Sequence, residues 1–170
     1  MVAEVDPYPY ADAGALLARG DALIVALDQV QDPRNLGAVC RSAEAAGAAG
    51  VVLPERRAAA VTAATCKASA GAVEHLEVAH VRNLADWLGD AKRAGFWIWG
   101  ADAEADAAPW AVDLTGPTVL VLGGEGKGLR PRVASSCDGL VALPQRGRIE
   151  SLNVSAAATA LLFEALRQRC

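Results

Sequence analysis

Short runs of nearly continuous apolar residues recur along the chain, separated by alanine-rich stretches with helical spacing. They predict strands over residues 22–27, 50–53, 96–99, 118–122 and 140–143, with a further one over 75–79. Runs without polar alternation belong to strands covered on both faces of a sheet. Between them, Leu36, Val39, Cys40, Ala43 and Ala46 repeat at three and four residues, and Gly47 follows as a stop signal. A second helix begins with Leu84, Trp87 and Leu88 and ends near Gly95, and a third runs from close to Ser151 through Leu166. Residues 11–19 add a short leading helix, while the acidic, alanine-rich residues 101–111 read as a surface loop or frayed helix. Strand–helix alternation of this kind predicts an α/β fold: a mostly parallel sheet flanked by helices.

Composition narrows the function classes. The 170 residues are 53% hydrophobic and 21% charged, which excludes a disordered chain and suits one domain. Charges interrupt every apolar run before the ~20 residues that a membrane span needs, so no membrane partner is expected. The first residues, Met1-Val2-Ala3-Glu4-Val5-Asp6, lack a basic and then an apolar region, and a cytoplasmic location is expected. Cys40, Cys66, Cys137 and Cys170 are scattered, and His75 and His80 stand five apart. That spacing misses one helical face, and no metal site is expected. The net charge of −4 argues against a nucleic-acid partner, but the charge is unevenly placed. Residues 1–32 hold six acidic residues against Arg19, and residues 86–113 hold six against Lys92 and Arg93. Elsewhere basic residues dominate, among them Arg34, Arg41, Arg56, Arg57, Lys67, Lys127, Arg146 and Arg148.

In open α/β sheets, ligands sit beyond the carboxyl ends of the strands. Three predicted strand ends carry unusual residues. After the first comes Asp32-Pro33-Arg34-Asn35-Leu36-Gly37, a turn entering a helix with Asp32 or Asn35 as its cap and Arg41 less than two turns on. After the fourth comes Gly123-Gly124-Glu125-Gly126-Lys127-Gly128. Four glycines in six residues imply left-handed backbone or close approach of a ligand. A P-loop fails here because Val121 holds its first glycine position and Gly128 follows Lys127. The dinucleotide pattern fails because Leu129 or Pro131 stands where its last glycine is required. Those failures disfavour a nucleotide phosphatase or a dehydrogenase. After the fifth comes a segment with Arg146 and Arg148 flanking Gly147, arranged for phosphate contacts, and then Ser151-Leu152-Asn153-Val154-Ser155. Ser151 is the expected cap of the last helix, and Asn153 has no evident capping need.

Together these segments resemble the three signature motifs of the SpoU (TrmH) family of RNA ribose 2′-O-methyltransferases, in the SPOUT superfamily. Their order and spacing match from about residue 22 onward. The stretch Lys67-Ala68-Ser69-Ala70-Gly71-Ala72-Val73-Glu74 is most similar to the branch acting on guanosine in 23S ribosomal RNA. Gln145 stands where many relatives carry Met, and Ala156 where Val is common.

The resemblance implies S-adenosylmethionine as cofactor, methyl transfer to a ribose 2′-hydroxyl of RNA, a C-terminal deep trefoil knot and a homodimer. It marks residues 22–170 as the catalytic domain and residues 1–21 as a lead-in, where many relatives carry an additional RNA-binding domain. Its functional polar positions fall on Asn35, Arg41, Glu125, Ser151 and Asn153, and its cofactor-binding positions on Gly123, Gly124, Leu143 and Leu152. Arg34, Arg146 and Arg148 are the expected RNA contacts, with Arg130 and Arg132 on the rim. An arginine stays charged in a protein, so Arg41 is expected to stabilise an alkoxide and grip a phosphate rather than act as a base. Asn35 and Asn153 are expected to orient groups, and Glu125 to hold Arg41 or a site amide. Trp87, Trp97, Trp99 and Trp110 read as core or interface residues. Ribosomal RNA is favoured as substrate over transfer RNA. The other alternative is a catalytically silent RNA- or cofactor-binding module.

Overall fold

A computed structural model describes residues 6–170; the first five residues of the expected lead-in lie outside the described residues. In chain order the elements are α1 (Ala13–Leu17), β1 (Leu23–Asp28), α2 (Pro33–Ala45), β2 (Gly50–Pro54), α3 (Ala63–Ala68) and β3 (Glu77–Val81). They continue with α4 (Leu84–Arg93), β4 (Trp97–Ala101), β5 (Thr118–Gly123), α5 (Pro131–Ser136), β6 (Gly139–Val141) and α6 (Val154–Arg169).

The six strands pair in the order β3-β2-β1-β5-β4-β6, every pair parallel. The first three strands therefore build outward from β1 in one direction, and the last three build on its other side. β1 is buried along its whole length. Its side chains alternate between two cores, as a pleated strand requires. Leu23, Val25 and Leu27 face the core shared with Leu36, Val39, Cys40 and Ala43 of α2 and Ala158, Leu161 and Leu162 of α6. Ile24 and Ala26 face the core shared with Leu16 of α1, Leu84 and Leu88 of α4 and Val133, the buried residue of α5. Each buried Leu or Ile contributes ~1.5–3 kcal/mol.

Strand positions follow the apolar runs closely, with shifts at the ends. The run over 140–143 yields a strand only over Gly139–Val141, so Leu143 lies beyond it. The strand expected over 75–79 begins at Glu77 because a short 3-10 turn, Ala72–Glu74, precedes it. Helices α3 and α5 were not foreseen; at six residues each, they are too short to show a periodic apolar face. Residues 101–111 form turns and a 3-10 segment at Pro109–Ala111. Trp87 is in the core, but Trp97 and Trp110 are 57% and 59% exposed. Of the expected core or interface places these two do not take the core: Trp97 opens β4 ahead of its pairing with β6, which starts at Trp99, and Trp110 sits in that 3-10 segment.

Two contacts place the helices that matter for the site. The Ser42 and Thr159 hydroxyls meet at 2.6 Å, tying α2 to α6. The far end of α6 is held by Arg169, whose Nε donates to the Leu114 carbonyl at 2.9 Å and whose Nη2 donates to that of Gly116 at 2.5 Å. Gly37 permits α3 to lie directly on α2: a Cβ there would meet the Ala68 Cβ at 2.5 Å and the Thr65 carbonyl oxygen at 2.8 Å. Gly37→Ala should therefore destabilise the protein by about 1–3 kcal/mol, the usual cost of overpacking. Urea unfolding checks this, and an unchanged midpoint would show that α3 shifts freely.

Candidate active site

The strand order reverses between β1 and β5, where Asp28 is registered against Gly123. Asp28 is fully buried, and its carboxylate accepts the Arg130 N–H at 2.8 Å and the Arg130 Nε–H at 2.7 Å. A buried carboxylate is tolerated only when it is paired in this way. Arg130 is thus a brace for the end of β1, and Arg132 pairs with Asp86 at 2.5 Å. Both are expected on an RNA-binding rim; Arg130 is committed to a buried carboxylate, whereas the Arg132–Asp86 pair is exposed on the surface.

Between the paired strand end and Arg130, the glycine loop folds back on itself. The Gly124 N–H donates to the Asp28 carbonyl at 2.8 Å, and a Cβ on Gly124 would lie 2.5 Å from the Gln29 carbonyl oxygen. A Cβ on Gly123 would lie 2.1 Å from the carbonyl carbon and oxygen of Gly128. No side chain fits at either position. The glycines reflect backbone pressed against backbone, which leaves the outer surface of the loop open to a ligand.

That surface forms one wall of a cavity of about 690 Å³, within the ~300–1,000 Å³ usual for small-molecule sites. Gly123, Gly124, Glu125, Leu143, Ser151 and Asn153 all line it, as does Leu152, which is 47% exposed. Leu122, Val141 and Leu161 extend the first core up to its floor. Asp102, Glu104 and Glu150 also line the cavity and had not been singled out. The signal for the first two was available: they follow the β4 strand end, where the same carboxyl-end rule applies.

A chain of amides joins the three strand-end segments. Asn35, in the first turn of α2, donates its Nδ2–H to the Glu125 carboxylate. Its Oδ1 accepts from Asn153 Nδ2 at 3.1 Å. The Asn153 Oδ1 in turn accepts from the Ser155 N–H at 2.8 Å and from the Ala156 N–H. Asn153 is therefore the N-cap of α6, and the expected cap Ser151 lies before the helix, exposed on the cavity wall. Asp32 caps α2 by accepting from the Arg34 N–H, so Asn35 is free for the chain. Of the two expected partners of Glu125, the structure selects the site amide.

Arg41 is exposed on α2, about 9 Å along the helix from Asn35 at 1.5 Å per residue. Among the described residues it makes no hydrogen bond or ion pair, and it lies outside the cavity lining. Arg34 is exposed and pairs with Asp32, and its guanidinium holds the Asp32 carboxyl below the usual range. Arg146 and Arg148 are exposed in the loop after β6, outside the cavity. Among the described residues no group of three His, Cys, Asp or Glu is placed to hold a metal ion, and no helix is long and apolar enough to cross a membrane.

An all-parallel sheet with a glycine-walled cavity at its reversal point defines an α/β protein with a small-molecule-sized site at its strand ends. The chain belongs to the SpoU rRNA Methylase family, whose model matches residues 22–163. It is 53% identical over 152 residues to the 23S rRNA (guanosine-2′-O-)-methyltransferase RlmB of Xanthomonas campestris, an alignment covering 89% of this chain and 61% of that protein. The chain thus spans about three fifths of the length of that curated relative. Among solved structures it resembles the SpoU methyltransferase AviRb of Streptomyces viridochromogenes in complex with AdoMet, with a TM-score of 0.81 and 36% identity. That match covers 89% of this chain and 59% of AviRb. It also resembles the AdoMet-bound rRNA methyltransferase of Sinorhizobium meliloti, with a TM-score of 0.86 and 32% identity over 94% of this chain and 61% of that one.

A methyl group at Gly123 cannot be accommodated without opening the loop. Gly123→Ala should lower S-adenosylmethionine affinity at least tenfold (~1.4 kcal/mol) in calorimetric titration while α6 stays folded by circular dichroism. Wild-type affinity would show that the closed loop is not what the ligand needs.

Proposed function

We propose that the protein transfers a methyl group from S-adenosylmethionine to a ribose 2′-hydroxyl of RNA, with 23S ribosomal RNA as the substrate. The observation that carries this reading is the Glu125–Asn35–Asn153 chain, which locks three separate strand-end segments around one cavity. The similarity to RlmB supports the choice of RNA. A cytoplasmic location follows from that substrate.

The residues present fit the cofactor. The glycine wall leaves room for close main-chain contact, Leu143 and Leu152 offer apolar surface, and Asp102, Glu104 and Glu150 give the cavity negative charge. That charge suits a ligand carrying a sulfonium and an ammonium group. When bound, S-adenosylmethionine supplies an electrophilic methyl group. Gly123, Gly124, Leu143 and Leu152 would hold it, while Ser151 offers a hydroxyl on the same wall. Glu125 and Asn153 fix both ends of the Asn35 amide, so the first turn of α2 cannot drift from the cavity. Arg41 remains a cation; it grips a phosphate of the RNA and stabilises negative charge on the 2′-oxygen as its proton passes to solvent water. Arg34, Arg146 and Arg148 contact further phosphates.

The homodimer is part of this proposal. Helix α6 leaves Ala156, Ala160 and Phe163 exposed at helical spacing, Phe163 by 45%, on a helix already packed against the α2 that carries Arg41. A second copy covering this stripe would bring its own residues toward Arg41. The knot is likewise proposed: the chain leaves β6 at the sheet edge and returns to pack α6 against α2, next to the central strand β1.

The deciding experiment is transfer of labelled methyl from S-adenosylmethionine to 23S ribosomal RNA and to transfer RNA, with mapping of the modified nucleotide. Transfer to ribosomal RNA is expected; cofactor binding without transfer to either would mark a silent module. Arg41→Ala should reduce kcat about 100-fold, as loss of a charge-stabilising group does, with cofactor affinity unchanged. Near-full turnover by Arg41→Lys would overturn the guanidinium role. Arg146→Ala/Arg148→Ala should make the dependence of log affinity on log salt shallower by about 1.5, for two lost phosphate contacts. Filter binding across a salt series measures it.

A further inference from the structure

Three further basic residues lie beside the site without a role in it. Arg56 and Arg57 are exposed in the turn after β2, and Lys67 is exposed on α3. Among the described residues none of the three makes an ion pair or side-chain hydrogen bond; Glu55 is the acidic neighbour in the same turn. Because every strand is parallel and β2 adjoins β1, the Arg56–Arg57 turn leaves the same sheet edge as the Asp32–Asn35 segment. Adjacent strands are only ~4.8 Å apart.

The fold holds these residues firmly against the first motif. The Ala59 N–H donates to the Val30 carbonyl at 2.8 Å, stitching the turn to the loop that enters α2. The Glu55 N–H donates to the Val81 carbonyl at 2.9 Å and anchors its other end on β3. Arg57 sits at φ +57°, a left-handed conformation that a non-glycine residue adopts only when its surroundings impose it. Lys67 is carried by α3, which Gly37 allows to press on α2 within one turn of Asn35. The backbone that carries these charges is thereby anchored beside the site, while the unpaired side chains remain free to meet phosphates. On the other flank of the cavity, Asp102 and Glu104 follow β4, so there the basic residues are confined to Arg146 and Arg148 of the loop after β6.

We infer that Arg56, Arg57 and Lys67 form a track for the phosphodiester backbone of the substrate RNA, leading away from the cavity past α2 toward the β2–β3 side of the sheet. The inference rests on the RNA methyltransferase reading above. It adds a second stretch of backbone contact, on the β2 side of α2, across the cavity from the Arg146–Arg148 loop that follows β6.

The test is binding of a fluorescein-labelled RNA stem–loop of about 20 nucleotides by the full chain across a salt series. Arg56→Ala/Arg57→Ala/Lys67→Ala should bind about tenfold more weakly at low salt, with a salt slope shallower by about 2 for three lost phosphates. S-adenosylmethionine affinity and the thermal midpoint should stay at wild-type values. Arg56→Glu/Arg57→Glu should weaken binding further. Arg19→Ala/Arg93→Ala, at the amino ends of the strands, should behave as wild type. Wild-type binding with an unchanged slope in the triple variant overturns the track and leaves the functional reading standing. Equal losses in the Arg19/Arg93 variant, or a parallel fall in cofactor affinity, also overturn it. A wild-type protein that shows no salt-dependent RNA binding overturns both.

Discussion

The site depends on one close approach of backbone to backbone, at the carboxyl ends of β1 and β5. Gly124 lies against the Gln29 carbonyl, and Gly123 lies against Gly128. Asp28 closes the arrangement from beneath by taking two N–H groups of Arg130. Burying that carboxylate is costly unless it is paired, so strand end, glycine loop and α5 are held as one unit. The cavity wall, the position of Glu125 and, through Asn35 and Asn153, the entries to α2 and α6 all follow from it. No larger residue at the two glycines preserves that geometry.

Charge is organised on a second level. The whole-chain balance is acidic, yet the acidic residues of 86–113 gather around α4 and the loop after β4. Asp102 and Glu104 reach the cavity wall, which suits a cationic ligand. The exposed cations on α2, α3 and the turn after β2 lie on the other flank. Arginines that look alike in sequence thereby divide into two kinds. Arg130 is committed to the buried Asp28, whereas Arg41, Arg56 and Arg57 project from the surface without a counter-ion among the described residues.

Much of this was legible before folding was considered. Strands buried on both faces must be apolar throughout, so the runs at 22–27 and 118–122 announce a central parallel pair. A glycine cluster at a strand end announces close packing, though not what is packed. Short-range pattern failed where a feature depended on a contact from elsewhere. Helices α3 and α5 are a turn or two long and are placed by what they rest on: Gly37 for α3, and the Asp28–Arg130 pair for α5. Ser151 is a good cap by residue type, but the chain runs extended to Asn153, whose amide also reaches Asn35 across 118 positions. Trp97 and Trp110 are large and apolar, and only their places at the edges of the fold leave them exposed.

The α/β class, the three strand-end segments and the residue types that meet there are thus readable along the chain. Those properties are local: apolar periodicity, turn chemistry and motif order are written in consecutive residues. Tertiary contacts settle which amide Glu125 holds, which asparagine caps α6, and that Arg130 braces the end of β1. Each of those is a pairing between residues far apart in the chain, and a pairing exists only once parallel strands have set both partners side by side.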